Sequence, residues 1–586
     1  MHKLKVSLGA LLVLLAAPLL RGQAVVNPRT GSLEVARTDL VVPTGAISLE
    51  IARSTADLSL PAGLLGPGWR LSWESTLRRA GDLAIIEDGA ATSYFFQQGE
   101  PGQYRNESGE RLEFGPTASV WTRLDGTRDI FDAAGRLNRR DFGNGNVATL
   151  RYEADGALSR IDAPRGVSVR FVQGADERLA AIESSSGGRV DYTYSQGLLA
   201  EVRVNGGAPV RYSYDASGRL AGIDDPATGL REFSYDQEGR VSAVRWADGS
   251  IERHEVDPSG NSYRFTDAAG GVTTVTRTPG SRREETTDPI GRRTVVEYNE
   301  AGRPELVTDA GGATTRYAYD ELGRKVEEND SRTGTIRYEY LGDTELPRVV
   351  NYPDGTQLLL EYDGQRNLIE VRDMAGSRIE LTYLPDGLLE SVQGAGIPRR
   401  SFTYDASGRL ASSTDALRQV TRLEYDERGN LVRRIDPAGG LHQYSYDEQD
   451  RLAAATDPAG STTRYAYDSQ GRLTSETDPA GAVTRYDYDV RGRLSAVTDA
   501  VGRTIRLQYD GVGRLVAVAD PLGSVHRLEY DLAGRPVRAT DPLGGFATMA
   551  YDALDRIIAV TNPAGGGRRF EYSPEGLVAG VLDSNG

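Results

Sequence analysis

The sequence predicts an all-β protein in which tandem 21-residue β-hairpins wind into a spiral, hollow β-shell, partial or open, preceded by a β-rich N-terminal domain. Three observations predict it. Tyrosine recurs every 21 residues through much of the chain, and 68 Gly and 26 Pro among 586 residues fall at turn spacing. No segment after Ala24 carries the sustained 3.6-residue apolar periodicity of a helix. Hydrophobic residues make up 39% and Met only 3, too little for several thick cores, so the layers are expected to be thin.

The first element is a leader. Lys3 and Lys5 give a positive start, Leu8 to Leu20 is uncharged and apolar, and Gly22-Gln23-Ala24 places small residues for cleavage after Ala24. Residues 1–24 therefore read as a secretory signal peptide. The alternative, a membrane anchor, needs more length, since a helix of about 13 residues covers about 20 Å of a hydrocarbon core roughly 30 Å thick. No later segment is apolar enough to span a membrane. The expected location is secreted or at the cell surface. Residues 25–130 form the N-terminal domain and residues 131–586 the repeats, about 22 units.

The repeat is a strict ruler. Tyr362, Tyr383, Tyr404, Tyr425, Tyr446, Tyr467, Tyr488, Tyr509, Tyr530, Tyr551 and Tyr572 stand 21 apart without exception, a run with chance odds on the order of 10⁻¹³. Aspartates follow eleven residues behind, from Asp415 to Asp541. One-residue slips lead back through Tyr340, Tyr319, Tyr298, Tyr235 and Tyr214, then through Tyr194, Tyr152 and Phe131. The pattern weakens over 256–287, where Val256 and Arg277 take tyrosine places, and over 342–352 and 394–400. Loss of repeat fidelity, or bends in the sheet, account for these stretches.

The unit Thr462 to Ala482 shows how each part folds. Thr462 to Tyr467 and Arg472 to Thr477 are β-prone and bounded by turn residues. Between them, Asp468-Ser469-Gln470-Gly471 closes a hairpin, the Asp bonding backbone amides and the Gly accepting positive φ after a type I turn. Asp478-Pro479-Ala480-Gly481 has the preferred residues of a type I turn and carries the chain back. Tyr465 and Tyr467 share one face of the strand, so stacked hairpins build a tyrosine stripe. The units amount to roughly 44 strands, a flat sheet on the order of 200 Å wide at about 4.8 Å per strand. Strand twist forces such a sheet to curl, and with no helix to cover it, it encloses a space.

Charge and motif content exclude most chemistries. Net charge is -16 with both signs dispersed, which argues against a nucleic-acid surface, and Cys is absent, which removes disulfides and thiol chemistry. His254, His442 and His526 are isolated in sequence, and no metal-ligand pattern, Walker A loop, GxSxG elbow or calcium-loop pattern is found. No catalytic residue, cofactor or metal is expected. The periodic aspartates read as turn makers, the Gly-Arg arginines as partners of acids across strands, and the tyrosines as a packed ladder. The competing readings of the last two are binding of anionic glycans and stacking of sugars.

Tyr-Asp, Gly-Arg-Leu and Asp-Pro-x-Gly at these offsets, as in YDASGRL at 214–220 and YDSQGRL at 467–473, resemble RHS/YD repeats. The stretches NPRTGSLEVARTDLVVP at 27–43 and GLLGPGWRLSWE at 63–74 resemble the β-rich domain that often precedes them. The resemblance covers nearly all of the chain after the leader. It implies a spiral β-cage like the teneurin YD shell and the toxin-complex cocoon, which often encloses a toxic C-terminal domain. The family's closing segment and toxin domain are not recognised before Gly586, so the shell is expected to be open at that edge. Its repeat residues map onto Tyr404, Asp405, Gly408 and Arg409; Tyr467, Asp468, Gly471 and Arg472; Asp478, Pro479 and Gly481; and Tyr488, Asp489, Gly492 and Arg493. The expected function is non-catalytic encapsulation and delivery of a toxin or other cargo, with a toxin or C-terminal partner polypeptide as partner. The alternative is an adhesion module that binds cell-surface glycans.

Overall fold

The structure is a computed structural model that describes residues 24–56, 58, 62–89, 93–99, 103–106 and 109–583. Apart from Ala24, the leader assigned to 1–24 lies outside the described residues. Two sheets contain all 54 strands, and the one helical element among the described residues is a 3₁₀ turn at Pro164–Gly166. This is the all-β architecture expected of a chain whose turn residues recur every ten or eleven positions.

The first sheet is antiparallel, with β1 (Ala24–Val26), β2 (Leu33–Pro43), β3 (Ser48–Thr55) and β4 (Trp69–Leu71) in sequence order. The second is one antiparallel ribbon of all remaining strands, each paired with the next in sequence. It begins with β5 (Thr76–Ala80), β6 (Leu83–Glu87), β7 (Ser93–Gln98), β8 (Gln103–Arg105), β9 (Arg111–Phe114), β10 (Ser119–Thr122), β11 (Arg128–Phe131) and β12 (Leu137–Asp141).

These eight strands curl back on themselves. The Leu77 amide donates to Gly135 O (2.7 Å) and the Leu137 amide to Ser75 O (3.2 Å), joining β5 to the start of β12. Ala84, Ile86, Phe96, Tyr104, Leu112, Trp121, Phe131 and Leu137 are fully buried, filling the inside with the aromatic residues that the repeats do not supply. The ribbon after β12 stays open, and its last strand, Val578–Asp583, pairs with Gly567–Tyr572 on one side only. The sequence-based division at 130/131 falls within β11, where hydrogen bonding is continuous. It is a division of repeat pattern, which we propose as such.

Beyond β12 most units repeat one geometry. Asp468 N–H donates to Arg472 O (2.9 Å) and Gly471 N–H to Asp468 O (3.0 Å), and Gly471 has φ +86°. One side of the hairpin carries an extra residue: Ala466 faces Ser475 and Tyr467 faces Leu473, leaving Thr474 as a bulge. The return turn closes alike, with Gly481 N–H on Asp478 O (3.0 Å), but pairs onward without a bulge. The odd 21-residue period follows from one bulged and one regular connection. Where Val256 and Arg277 replace tyrosine, the bulge is missing and the loop is longer. The stretch 394–400 is a tight hairpin in which Gly394 faces Ile397.

The ribbon coils until its edges meet. Asn144 bonds Asn367 (2.9 Å), Asn205 bonds Asp450 (3.1 Å), Arg491 bonds Asp248 (3.2 Å), and Arg165 and Arg292 reach Asp386 and Asp555. The separation rises from 221 residues at Arg165 to 263 at Arg292, two whole units, so the coil widens along the chain. With about 23 strands per coil at about 4.8 Å each, the circumference is on the order of 110 Å.

The two turn residues with contrasting backbone demands give a direct check. Gly471→Val places a β-branched residue at positive φ and is expected to cost about 1–2 kcal/mol, whereas Ser469→Ala is expected to cost under about 0.5 kcal/mol. Equal thermal unfolding midpoints for the two variants would contradict the turn.

Candidate functional site: the tyrosine face and its turns

The predicted residues are brought to two edges of the ribbon and to one of its faces. Tyr-Asp and Gly-Arg meet in the turns of one edge, and Asp478, Pro479 and Gly481 stand in the turns of the other. At the first edge, Asp468 Oδ1 accepts the amides of Gln470 and Arg472 (both 2.9 Å), while Oδ2 accepts Arg472 Nε (2.8 Å). The arginine thus pairs inside its own turn and not across strands, because the carboxylate that shapes the turn already faces the guanidinium. The guanidinium then lies over the Tyr488 ring of the next unit, 4.8 Å from its centre. The Tyr488 hydroxyl donates to Leu473 O (2.8 Å), fifteen residues back.

The same relay holds at the other predicted sets. Asp405 accepts the Ser407 and Arg409 amides (both 2.9 Å) and Arg409 Nε (2.7 Å). Arg409 lies over Tyr425 at 4.8 Å, and Tyr404 donates to Leu389 O at 2.7 Å. Asp489 holds the Arg491 and Arg493 amides (2.9 Å each) and Arg493 Nε (2.6 Å), with Arg493 over Tyr509 at 4.8 Å. Gly408 and Gly492 serve a second purpose: a Cβ there would lie 2.3 Å from Gly45 Cα, in the loop between β2 and β3, and 2.1 Å from Ala227 O of the first coil. At the opposite edge Asp478 Oδ1 accepts the Ala480 and Ala482 amides (2.9 and 2.8 Å), and Gly481 has φ +88°.

The tyrosine ladder and the arginine clamp engage the Tyr488 hydroxyl and the Arg472 guanidinium within the protein itself. They also set the electrostatics. Partial burial works to raise the Asp468 carboxyl pKa, but hydrogen bonds from the Arg472 amide and guanidinium outweigh it and hold the group below its ordinary 3.8. Asp405, Asp447, Asp510, Asp531 and Asp552 are lowered in the same way, each by its own Arg. Burial pushes the Tyr488 phenol up, and that of Tyr235 to about 12.

The tyrosine face is the inner one. In the first coil it packs on the N-terminal sheet, where Arg53, almost fully buried on β3, binds Asp39 of β2 and the Tyr212 hydroxyl. Tyr192 donates to Asp39 Oδ2 (2.7 Å), and Trp69 Nε1 donates to the Tyr214 hydroxyl (2.9 Å). The charge is tolerated because its partners are charged or polar on every side but Nε, which has none. In the second coil the same face is half-buried and uncovered. Thr463, Tyr465 and Tyr467 lie on it, followed at matching positions by Leu507, Leu528 and Tyr530. Charged pairs such as Arg433 with Glu424 (3.0 Å) stand on the outer face.

His254 is buried, its Nδ1 2.8 Å from the Tyr263 hydroxyl, and burial pushes its pKa down to about 4. Among the described residues no three His, Asp or Glu side chains gather as metal ligands. The sequence reading missed the tyrosine–carbonyl bond, the arginine–tyrosine stacking and the seam between coils. The offset of sixteen between Arg472 and Tyr488 is the one signal for the stacking.

Residues 425–578 match the family described as the teneurin YD-shell, and residues 214–251, 298–335 and 404–441 match the RHS repeat. The chain carries RHS/YD repeats over these residues. Residues 23–96 match a domain of unknown function, DUF6531. No curated protein matches the chain. Among solved structures it is similar to TcdB2-TccC3-Cdc42 (13% identity, 94% of this chain and 32% of that one, TM-score 0.33). It is also similar to TcdB2-TccC3 (14%, 92% and 35%, 0.32) and to the Photorhabdus luminescens Tc holotoxin pore (14%, 94% and 30%, 0.33). The chain spans about a third of the length of these chains.

Tyr488→Phe keeps the stacking and removes the bond to Leu473 O, at an expected cost of about 0.5–1.5 kcal/mol by denaturant unfolding. Asp468→Ala leaves two amides and a guanidinium without their acceptor and is expected to cost more, about 1–3 kcal/mol. Acid should act on many turns at once. The unfolded carboxyls protonate near their ordinary 3.8, and the folded ones hold their charge to lower pH. Their stabilisation is therefore complete above about pH 5 and is lost as pH falls through the folded values. Melting temperature followed from pH 6 to 2 should drop steeply below about pH 4, and Asp468→Asn should flatten the drop. A flat profile in the parent protein would contradict the carboxylate role.

Proposed function

We propose that this chain is a secreted, non-catalytic shell that encloses a toxin or other polypeptide cargo and delivers it to other cells or a host. The observation that carries the proposal is the lining of the second coil. It presents tyrosine, leucine, valine and threonine to the enclosed space, with few charges, Glu476 and Arg434 among them. Such a surface can hold an extended chain through many weak apolar and stacking contacts, with no demand on the cargo's sequence. The leader at 1–24 supports export. No helix among the described residues is long and apolar enough to cross a membrane.

A compact chain of this length would have a radius of gyration of about 25 Å. Small-angle scattering is expected to give a clearly larger value with a shell-type distance distribution. An unstructured reporter polypeptide joined after Gly586 is expected to resist protease far longer than the same polypeptide alone. A compact radius, or a reporter cut at its free rate, would overturn the cargo reading. Glycan-array binding together with an unprotected reporter would favour the adhesion alternative.

A further inference from the structure

The two coils carry the same turns at the same edge, yet only the first coil's edge is covered. There, polar residues seal the seam: Asn144, Arg165, Asn205, Asp248 and Arg292 each bond the second coil. Along the second coil, from Leu417 to Ala564, the third residue of every turn is Ala, Val or Leu. Leu417, Val501, Leu522 and Leu543 are 78, 76, 93 and 97% exposed. The carboxylates behind them are already occupied, Asp520 by the Leu522 and Ser524 amides and Asp541 by those of Leu543 and Gly545. Arg418 and Arg503 are the cations in these turns, and Arg503 is held by Asp499 at 2.6 Å. A methyl group added at Gly481, Gly502, Gly523 or Gly544 would meet no described atom within 4 Å.

We propose that this rim docks a second copy of the chain, mouth to mouth across a two-fold axis. It is the continuation of an edge that the first coil buries, so burial is the state its geometry is built for. A further edge of Asp-x-x-Gly-Arg turns would find few of the polar anchors that hold the first seam. The rim of a second copy has the same arc and the same apolar tips. Tips two strands apart, about 9.6 Å, leave gaps that facing tips fill. An isologous contact needs one self-complementary patch, and an exposed apolar arc on a chain of net charge -16 is such a patch. The closed pair would enclose one continuous space. The inference rests on the shell and not on its cargo.

Sedimentation equilibrium of the full chain across micromolar concentrations tests it. The parent protein is expected to form a dimer, and the double variant Leu522→Ser, Leu543→Ser to weaken it by at least about tenfold. At concentrations where both proteins are monomeric its melting temperature should match the parent's, since these side chains are almost wholly exposed in the single chain. Leu582→Ser, on the last strand and away from the rim turns, is expected to leave the dimer intact. A monomer at all concentrations, a dimer indifferent to the double variant, or one lost with Leu582→Ser would overturn the proposal. So would a monomer that floats with phosphatidylcholine vesicles and loses them in the double variant, which would make the rim a lipid contact.

Discussion

The carboxylate at the head of the Tyr-Asp turns ties each hairpin to its neighbour. Asp468 fixes two backbone amides and one guanidinium, and the guanidinium in turn lies over the next unit's tyrosine. The ring's hydroxyl then reaches back to the strand that follows the same Asp. Local turn chemistry is thereby converted into a contact between units. A sheet only one layer thick has no core in which to hide a mistake in register. A charge-assisted clamp at hairpins such as Asp405–Arg409, Asp468–Arg472 and Asp489–Arg493 supplies specificity that a core would otherwise give.

Curvature has a similarly local source. The Tyr-Asp hairpins carry a bulge and the return connections, apart from the one at Gly394, do not, so the sheet is bent on the same side unit after unit. Bulges increase local twist, and a twist repeated at constant spacing produces a coil. The N-terminal sheet and the closed eight-strand barrel give that coil something to wind on. Their aromatic interior, around Trp121 and Phe131, belongs to one buried core that continues through Leu49, Ile51 and Trp69 of the N-terminal sheet to Ile161, Ile182 and Val190 of the first coil. Arg53 and Asp39 then key the inner face of the first coil to it.

Much of this was legible in the sequence. The Tyr ruler and the Asp-x-x-Gly turns state the hairpin, its length and its face, since each rests on residues within a few positions of one another. The hydroxyl bond from Tyr488 was not legible, because its acceptor is a backbone carbonyl and any residue could stand there. The seam was hidden for a different reason. Its anchors, such as Arg165 with Asp386 or Asn205 with Asp450, are single residues far apart in the chain, and nothing in their local sequence marks either partner. Barrel closure through Leu77 and Gly135 is likewise a backbone contact with no side-chain signature. The arginines of Gly-Arg were assigned the right kind of partner in the wrong place, because turn geometry brings Asp468 closer than any neighbour across the sheet.

The widening of the coil ties geometry to inheritance. Facing residues are separated by 221 positions near Arg165 and by 263 near Arg292, so the two coils are in phase like the scales of a vernier. Gaining or losing one hairpin between Asp248 and Arg491 would slide those two residues out of reach of each other, and the same holds for every anchor pair that spans the change. A hairpin gained after Asp555, past the last of these anchors, would displace none of them. Copying errors among near-identical units are therefore costly wherever a seam pair spans them and tolerated beyond the last pair.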